Sequence, residues 1–352
     1  MRFHEVHGQI PCVSVKRTVT AEILPTHTPA LFATAVKRAA ELLCAGEVVA
    51  LPTETVYGLA ANALDAQAVG KIFEAKGRPA NNPIIVHVAS VEMARRCVTT
   101  WSAFADKLTK AFWPGPLTLV LPRSHEIPDI VTGFGPTVGV RWPSHPFIQA
   151  VIRACGFPLA APSANLSGQI SPTSAEHVRK GLGDKIRLIV DGGQSQVGIE
   201  STVLDLTVSP PRVLRPGMIH EESLLSVTGG LAVGPAEHGQ ILKSPGQLER
   251  HYSPRAKLKV LSWRDDDDLN RQLSTFNFQP LKTHLITHTQ IPSGERLGRV
   301  SVIPHDAEAF ARALYAELHR CDELGAEWIV IEALPEGSEW HAIADRLRRA
   351  AG

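Results

Sequence analysis

Four groups of residues in this 352-residue chain put polar and cationic side chains where apolar runs end. The first is Pro52-Thr53-Glu54-Thr55-Val56-Tyr57-Gly58, directly after the apolar run Val48 to Leu51. Open α/β sheets place ligands in loops beyond strand ends, although the same hydroxyls can also cap backbone groups in a polar turn. The second is Lys76-Gly77-Arg78-Pro79, followed by Asn82 and His87. A lysine point charge and an arginine fork flanking one glycine can converge on a polyphosphate, and two cations at a helix end also complement its dipole with no ligand at all. The third, Ala161-Pro162-Ser163-Ala164-Asn165-Leu166-Ser167-Gly168, has no charge of its own. It offers neutral donors to phosphate or ribose oxygens, or forms a plain Asx or Ser turn. The fourth combines Thr137 to Arg141, Ile199-Glu200-Ser201-Thr202 and Leu214-Arg215-Pro216-Gly217. Arg141 and Arg215 each close an apolar run, a costly place for a charge unless it is in a salt bridge or faces a ligand.

Several signatures are missing. There is no GxxxxGK[ST] phosphate loop, GxGxxG turn, GxSxG elbow or HExxH pair, so neither a covalent hydrolase nor a metalloprotease is supported. The formal charge of +1 gives no global basic field, and any contact with nucleic acid would be local or made through a partner. Cys12, Cys44, Cys97, Cys155 and Cys321 are scattered, odd in number and without CxxC spacing, which fits a reducing cytoplasm better than a disulfide framework or a zinc site. No apolar run approaches the roughly 20 residues of a membrane helix. The first two dozen residues mix Arg2, Glu5, Lys16, Arg17 and Glu22 with no apolar signal core, so no targeting peptide is expected.

The elements that must position these residues follow from periodicity. Leu31, Phe32, Ala35, Val36, Ala39, Leu42 and Leu43 share one face of a helix from Pro29 to Leu43. Asp65 can cap a second helix that buries Val69, Ile72 and Phe73 and stops at Gly77. Strands are predicted at 48–51, 84–88, 117–121, 137–141, 159–161, 188–191, 202–206 and 212–214, with helices between several of them, which makes the first part α/β. Gly229, Gly230, Gly234, Pro235, Gly239, Pro245, Gly246 and Pro254 then punctuate a linker. Alternation resumes with strands at 258–261, 284–287 and 328–332 and helices from 307 to 324 and from about Trp340. The run Asp265 to Asp268 reads as a solvated loop or a helix start.

Taken in order, PTETVYGL, KIFEAKGRPANNPIIVHV, WPGPLTLVL, APSANLSG, GIESTVLDL and VLRPGMI resemble the threonylcarbamoyl-adenylate synthase (YrdC-like) family over about Ala30 to Ile219. Ser244-Pro245-Gly246 and Arg250-His251-Tyr252-Ser253-Pro254 resemble the linker of its longer, two-domain members. The resemblance implies a YrdC-like twisted open α/β sheet domain with a smaller Rossmann-like C-terminal domain. The expected division is an extension at 1–25, a catalytic domain at 26–227, a linker and lid at 228–256 and the C-terminal domain at 257–352.

It also implies a reaction: a nucleotidyltransferase joins L-threonine, bicarbonate or CO2 and ATP into threonylcarbamoyl-AMP, releasing pyrophosphate. A separate transferase complex then modifies tRNA. On this resemblance Lys76 and Arg78 are the catalytic cations. ATP is held by Lys76, Arg78, Asn82, Thr137, Ser163, Asn165, Ser171, Arg215 and His251. Threonine is held by Thr53, Thr55, His87, Arg141, Ala161 and Ser201, with Arg141 on its carboxylate. Magnesium would travel on the ATP phosphates, since no carboxylate cluster is evident. His251 and Tyr252 would close over the site. Direct tRNA binding is expected to be weak or absent. Two other readings differ in class. A hydrogenase-maturation carbamoyltransferase would bring an acylphosphatase region and paired CxxC fingers that this chain lacks. An RNA-binding module fits poorly with the near-neutral charge and the 6% aromatic content.

Overall fold

Strands and helices alternate from Glu22 onward in the computed structural model of the chain, which describes residues 20–232, 243, 245, 252–275, 279–293 and 297–352. The first part runs β1 (Glu22–Pro25), α1 (Pro29–Cys44), β2 (Val49–Leu51), β3 (Gly58–Asn62), α2 (Ala66–Lys76), β4 (Val86–His87), α3 (Val91–Arg96), α4 (Ala103–Phe112), β5 (Leu117–Pro122) and β6 (Thr137–Arg141). It continues with α5 (Pro146–Cys155), β7 (Leu159–Ala160), α6 (Ala175–Leu182), β8 (Leu188–Asp191), β9 (Thr202–Asp205), β10 (Arg212–Arg215) and α7 (Glu221–Thr228).

These strands form one mixed sheet in the order β1-β8-β2-β3-β7-β4-β6-β5-β9-β10. Because side chains alternate across a strand, neighbouring residues of β2 serve different cores. Val49 and Leu51 pack with Ala35, Leu43, Phe147 and Val151 of α1 and α5, while Ala50 belongs with Val69 and Ile72 of α2. Thr28 caps α1, accepting from the Leu31 amide, and proline opens the helix where an amide hydrogen is not needed. Asp65 caps α2 as expected, and Gly77 ends it in the left-handed region at φ 61°. That stop sends Lys76 and Arg78 in different directions.

The second part runs β11 (Lys257–Leu261), α8 (Asp266–Ser274), β12 (Thr283–Thr287), β13 (Arg299–Val302), α9 (Ala307–Glu323), β14 (Trp328–Glu332) and α10 (His341–Ala351). Its sheet is parallel throughout, in the order β11-β14-β12-β13, so the first strand lies at an edge. Ile286, Ile329 and Ile331 pack with α9 and α10, whereas Leu285 and Val330 pack with Leu269 and Leu273 of α8, so helices cover both faces.

The structure departs from expectation in a few places. β1 pairs in parallel with β8, so Glu22–Pro25 belongs to the sheet and not to an extension ending at residue 25. β3 is built from small residues whose pattern carries no strand signal, and β13 ends on an exposed Val302. The aspartate run takes the second of its two expected forms, a helix start: Asp265 accepts from the Asp268 amide at 2.8 Å, and the next three aspartates lie in the positive first turn. The two parts share a core, in which Val56, Ile170 and Ile199 of the first pack with Phe310, Ala311 and Leu314 of the second.

Candidate active site

The loop after β2 is organised by its own hydroxyls. Thr53 Oγ1 donates to the Val56 carbonyl at 2.6 Å, accepts from the Thr55 and Val56 amides, and lies 3.0 Å from Thr55 Oγ1. This is the turn-capping role open to any threonine, and it fixes Thr55 beside the end of β6. There Arg141 Nη1 donates to Thr55 Oγ1 at 3.0 Å and Nε to the Gly115 carbonyl at 3.3 Å. Arg141 Nη2 sits 2.7 Å from Glu54 Oε1, yet its hydrogens have no in-line acceptor. Glu54 Oε1 also accepts from the Ser144 amide. Burial pushes the Glu54 carboxyl up, but the Arg141 charge and the hydrogen bonds outweigh it and hold the group below its ordinary range. His87, across the ladder from Arg141 on β4, is 4% exposed, and its Nδ1 has no hydrogen-bond partner. Burial, then the Arg141 charge, pushes its imidazole down to about 3, so it is neutral at physiological pH.

A second set of cations lies around the end of α2. Lys76 is 2% exposed and its ammonium donates to the Ser163 carbonyl at 2.6 Å, with the Asn165 carbonyl and Oδ1 also in reach. Lys76 therefore braces the Ala161–Gly168 turn and is not part of the cavity wall, a more indirect position than a converging phosphate clamp requires. Burial and the Arg78 charge both push its ammonium well below the usual lysine range. The Asn165 amide is used within the same turn, donating to the Leu166 and Gln169 carbonyls. Arg78 is held by the Asn82 carbonyl, Asn82 Oδ1 and the Pro83 carbonyl, at 3.1, 2.7 and 2.7 Å. Burial chiefly, and Arg215 with it, pushes its guanidinium down to about 10, which leaves it charged at neutral pH. Arg215, from the end of β10, donates to the Ser201 carbonyl, Ser201 Oγ and the Pro245 carbonyl. The hydrogen-bond acceptors found for Arg78 and Arg215 among the described residues are neutral oxygens, although the Arg215 charge also acts on the Glu200 carboxyl.

These residues line one partly open cleft. Thr53, Thr55, Arg78, His87, Arg141, Ala161, Ser163, Ser201 and Arg215 line it, together with Val56, Tyr57, Gly58, Ile85, Pro162, Glu200, Pro245 and Tyr252. Asn82 and Asn165 stand behind Arg78 and Lys76. Ser171 stands behind Glu200, to whose Oε1 it donates at 2.5 Å. Thr137 opens β6 at the end away from Arg141, opposite Pro122, and does not line the cleft. His251 lies outside the described residues. Tyr252 and Pro245 bring the linker onto the cleft; Tyr252 is 1% exposed and holds a left-handed backbone at φ 62°, where a side chain normally costs strain.

Glu54 and Glu200 are not among the expected site residues, although both sit inside the segments 52–58 and 199–202 that carry them. The signal was available: an isolated carboxylate in a buried loop needs a cation, and an arginine closing a strand needs an anion.

A family model described as "Telomere recombination" (Sua5/YciO/YrdC) matches residues 41–217, and one described as "Threonylcarbamoyl-AMP synthase, C-terminal domain" matches residues 219–352. A threonylcarbamoyl-AMP synthase of Pyrococcus abyssi is 42% identical over 323 residues, covering 90% of this chain and 94% of the relative. One from Bacillus subtilis is 40% identical over 327 residues, covering 90% and 93%. The solved structure of P. abyssi Sua5 complexed with L-threonine is 40% identical, with a TM-score of 0.87 over 94% of this chain and 98% of that one.

Proposed function

The chain belongs to the threonylcarbamoyl-AMP synthase family, and we propose on that premise that it joins L-threonine, bicarbonate or CO2 and ATP into threonylcarbamoyl-AMP and pyrophosphate. In class terms it is a nucleotidyltransferase whose product feeds a separate transferase that modifies tRNA, and it works in the cytoplasm. Among the described residues no helix is long and apolar enough to cross a membrane.

The observation that carries this reading is the division of charge within one cleft. Arg141 lies against Glu54 with its Nη2 poorly aligned to that carboxylate, beside Thr55 and the open Nδ1 of His87. That set suits an amino acid: the guanidinium takes the carboxylate, and the neutral imidazole accepts from the amine or the hydroxyl. Ser201 and Thr55 offer further partners to the threonine hydroxyl, which a purely apolar pocket could not distinguish from a methyl group. Ala161 packs beside them, and Thr53 holds the loop in shape. Arg78 and Arg215, which hydrogen-bond neutral oxygens, suit the triphosphate, and Lys76 shapes the Ser163 and Asn165 turn that meets it.

Threonine's neutral amine adds to CO2 with loss of a proton to solvent, or to bicarbonate with loss of water, and yields a carbamate. A carbamate oxygen then attacks the α-phosphorus, the bond from that phosphorus to the bridging oxygen breaks, and pyrophosphate leaves with the electron pair. No protein nucleophile is needed. The protein contributes position and fixed positive charge where the phosphoryl oxygens gain negative charge. Arginines engage both Glu54 and Glu200, so magnesium enters with the nucleotide as part of the substrate. Pro245 and Tyr252 on the cleft support a linker that shields the carbamate from water.

Pyrophosphate release tests this, measured with ATP and bicarbonate and with L-threonine, L-serine, L-valine or no amino acid. Release that depends on threonine and falls at least about 100-fold in Arg78→Ala supports the reading. Equal release without an amino acid overturns it.

A further inference from the structure

Glu200 and Arg215 both line the cleft, and Arg215 bonds both the carbonyl and the hydroxyl of Ser201, the residue next to Glu200. Burial pushes the Glu200 carboxyl up, and the Arg215 charge, after that of Arg346, helps hold it below its ordinary range, yet the carboxylate oxygens hydrogen-bond elsewhere than to Arg215. Oε2 accepts from Arg346 Nε at 2.8 Å and from the Tyr315 hydroxyl at 3.1 Å, and Oε1 accepts from Ser171. Arg346 Nη2 also reaches the Glu200 carbonyl at 3.3 Å, and Nη1 pairs with Asp345 at 2.9 Å. Arg346 is 0% exposed, and its guanidinium lies 5.3 Å from the centre of the Tyr252 ring, which stacks on Tyr315. Both Arg346 and Tyr315 come from the C-terminal domain, so a charge on the cleft wall is neutralised across the domain boundary.

We propose that Arg346 is a positioning residue: by holding the Glu200 carboxylate it keeps Glu200 from pairing with Arg215 and leaves Arg215 available to the substrate phosphates. The C-terminal domain then takes part in nucleotide binding without touching the nucleotide. This rests on the assignment of Arg215 to ATP. A buried carboxylate that loses its cation turns to the nearest other one, because an uncompensated buried charge is costly. Without Arg346, the cation whose charge still acts on Glu200 is Arg215.

The test is ATP affinity by calorimetry on the full-length protein, with thermal unfolding recorded alongside. Arg346→Gln is expected to weaken ATP binding about tenfold or more, the size of effect seen when one charged partner of a buried pair is removed. Arg346→Lys, which keeps the charge, is expected to retain most of the affinity. The double variant Glu200→Gln with Arg346→Gln is expected to recover affinity to within about threefold of wild type, since a neutral amide does not quench Arg215. A merely structural role for Arg346 predicts no such recovery. Unchanged affinity in Arg346→Gln, or a loss that persists in the double variant, overturns the inference. If Arg346→Gln does not fold, Tyr315→Phe removes one donor from Glu200 and keeps the ion pair; a loss of about threefold is then expected, and no loss overturns the inference. Wild-type protein that binds no ATP would instead overturn the phosphate assignment itself.

Discussion

Arg141 shows how a single side chain can be committed and available at once. Its Nε and Nη1 are bonded to Gly115 and Thr55, and its Nη2 lies 2.7 Å from Glu54 Oε1 without a well-aligned hydrogen bond. A lysine would keep the charge and lose the fork. Arg141→Lys is therefore expected to raise the KM for threonine by about 10- to 100-fold while leaving the KM for ATP within about threefold. Initial rates with threonine varied at saturating ATP, and the reverse, decide this, and an unchanged threonine KM removes Arg141 from the amino-acid site. His87 differs because its charge is suppressed. Burial and the adjacent Arg141 depress its pKa, so it accepts hydrogen bonds throughout the neutral range. Between pH 6 and 8 the threonine dependence is expected to carry no ionisation from His87. An inflection near 6.5 that disappears in His87→Asn contradicts the neutral assignment.

The elements act by stopping at the right place. α2 ends at Lys76, β6 ends at Arg141 and β10 ends at Arg215, so three cations stand where secondary structure runs out. The strap before β9 is positioned differently, by close contact with α9. Gly198 adopts φ +84°, and a Cβ there would lie 2.4 Å from Arg312 Cα and 2.5 Å from the Ala311 carbonyl. Arg312 also donates to the Gln196 carbonyl at 2.7 Å. Both the backbone conformation and the contact exclude a side chain, so Gly198→Ala is expected to cost about 2 kcal/mol or more of stability. Denaturant unfolding measures it, and a midpoint equal to wild type would show that the strap is free to move away.

The whole molecule depends on buried histidines as well as on its ion pairs. His177 and His319 stack across the domain boundary with ring centres 3.9 Å apart. Burial first, then the neighbouring His319, pushes His177 down to about 3, and burial also lowers His319, His145 and His284. These groups bind protons in the unfolded chain near pH 6.5 and resist them in the folded one. Stability is therefore full above about pH 6.5 and falls as the pH drops below it, for His177 until about pH 3. The lowered carboxylates Glu54 and Glu200 add their own loss only below the ordinary carboxylate range near 4.5. Urea midpoints at pH 7.5, 6.5 and 5.5 are expected to fall across the last interval. A flat response there would mean that these histidines titrate normally in the folded protein.

The sequence by itself determined the α/β character, the helix caps at Asp65 and Gly77, the strand ends that carry Arg141 and Arg215, and the family resemblance of six ordered segments. Each depends on local pattern: side-chain period, capping chemistry, and charge at the edge of an apolar run. Only the tertiary structure decided which charges answer one another. Lys76 finds its acceptors 87 and 89 residues away, in a turn with no charge of its own. Glu200 finds its cation 146 residues away, in the last helix of another domain. Both Glu54 and Glu200 were visible as residues, but not as partners. Ion pairing in a buried site depends on distance and desolvation, and spacing along the chain encodes neither once the intervening residues have folded.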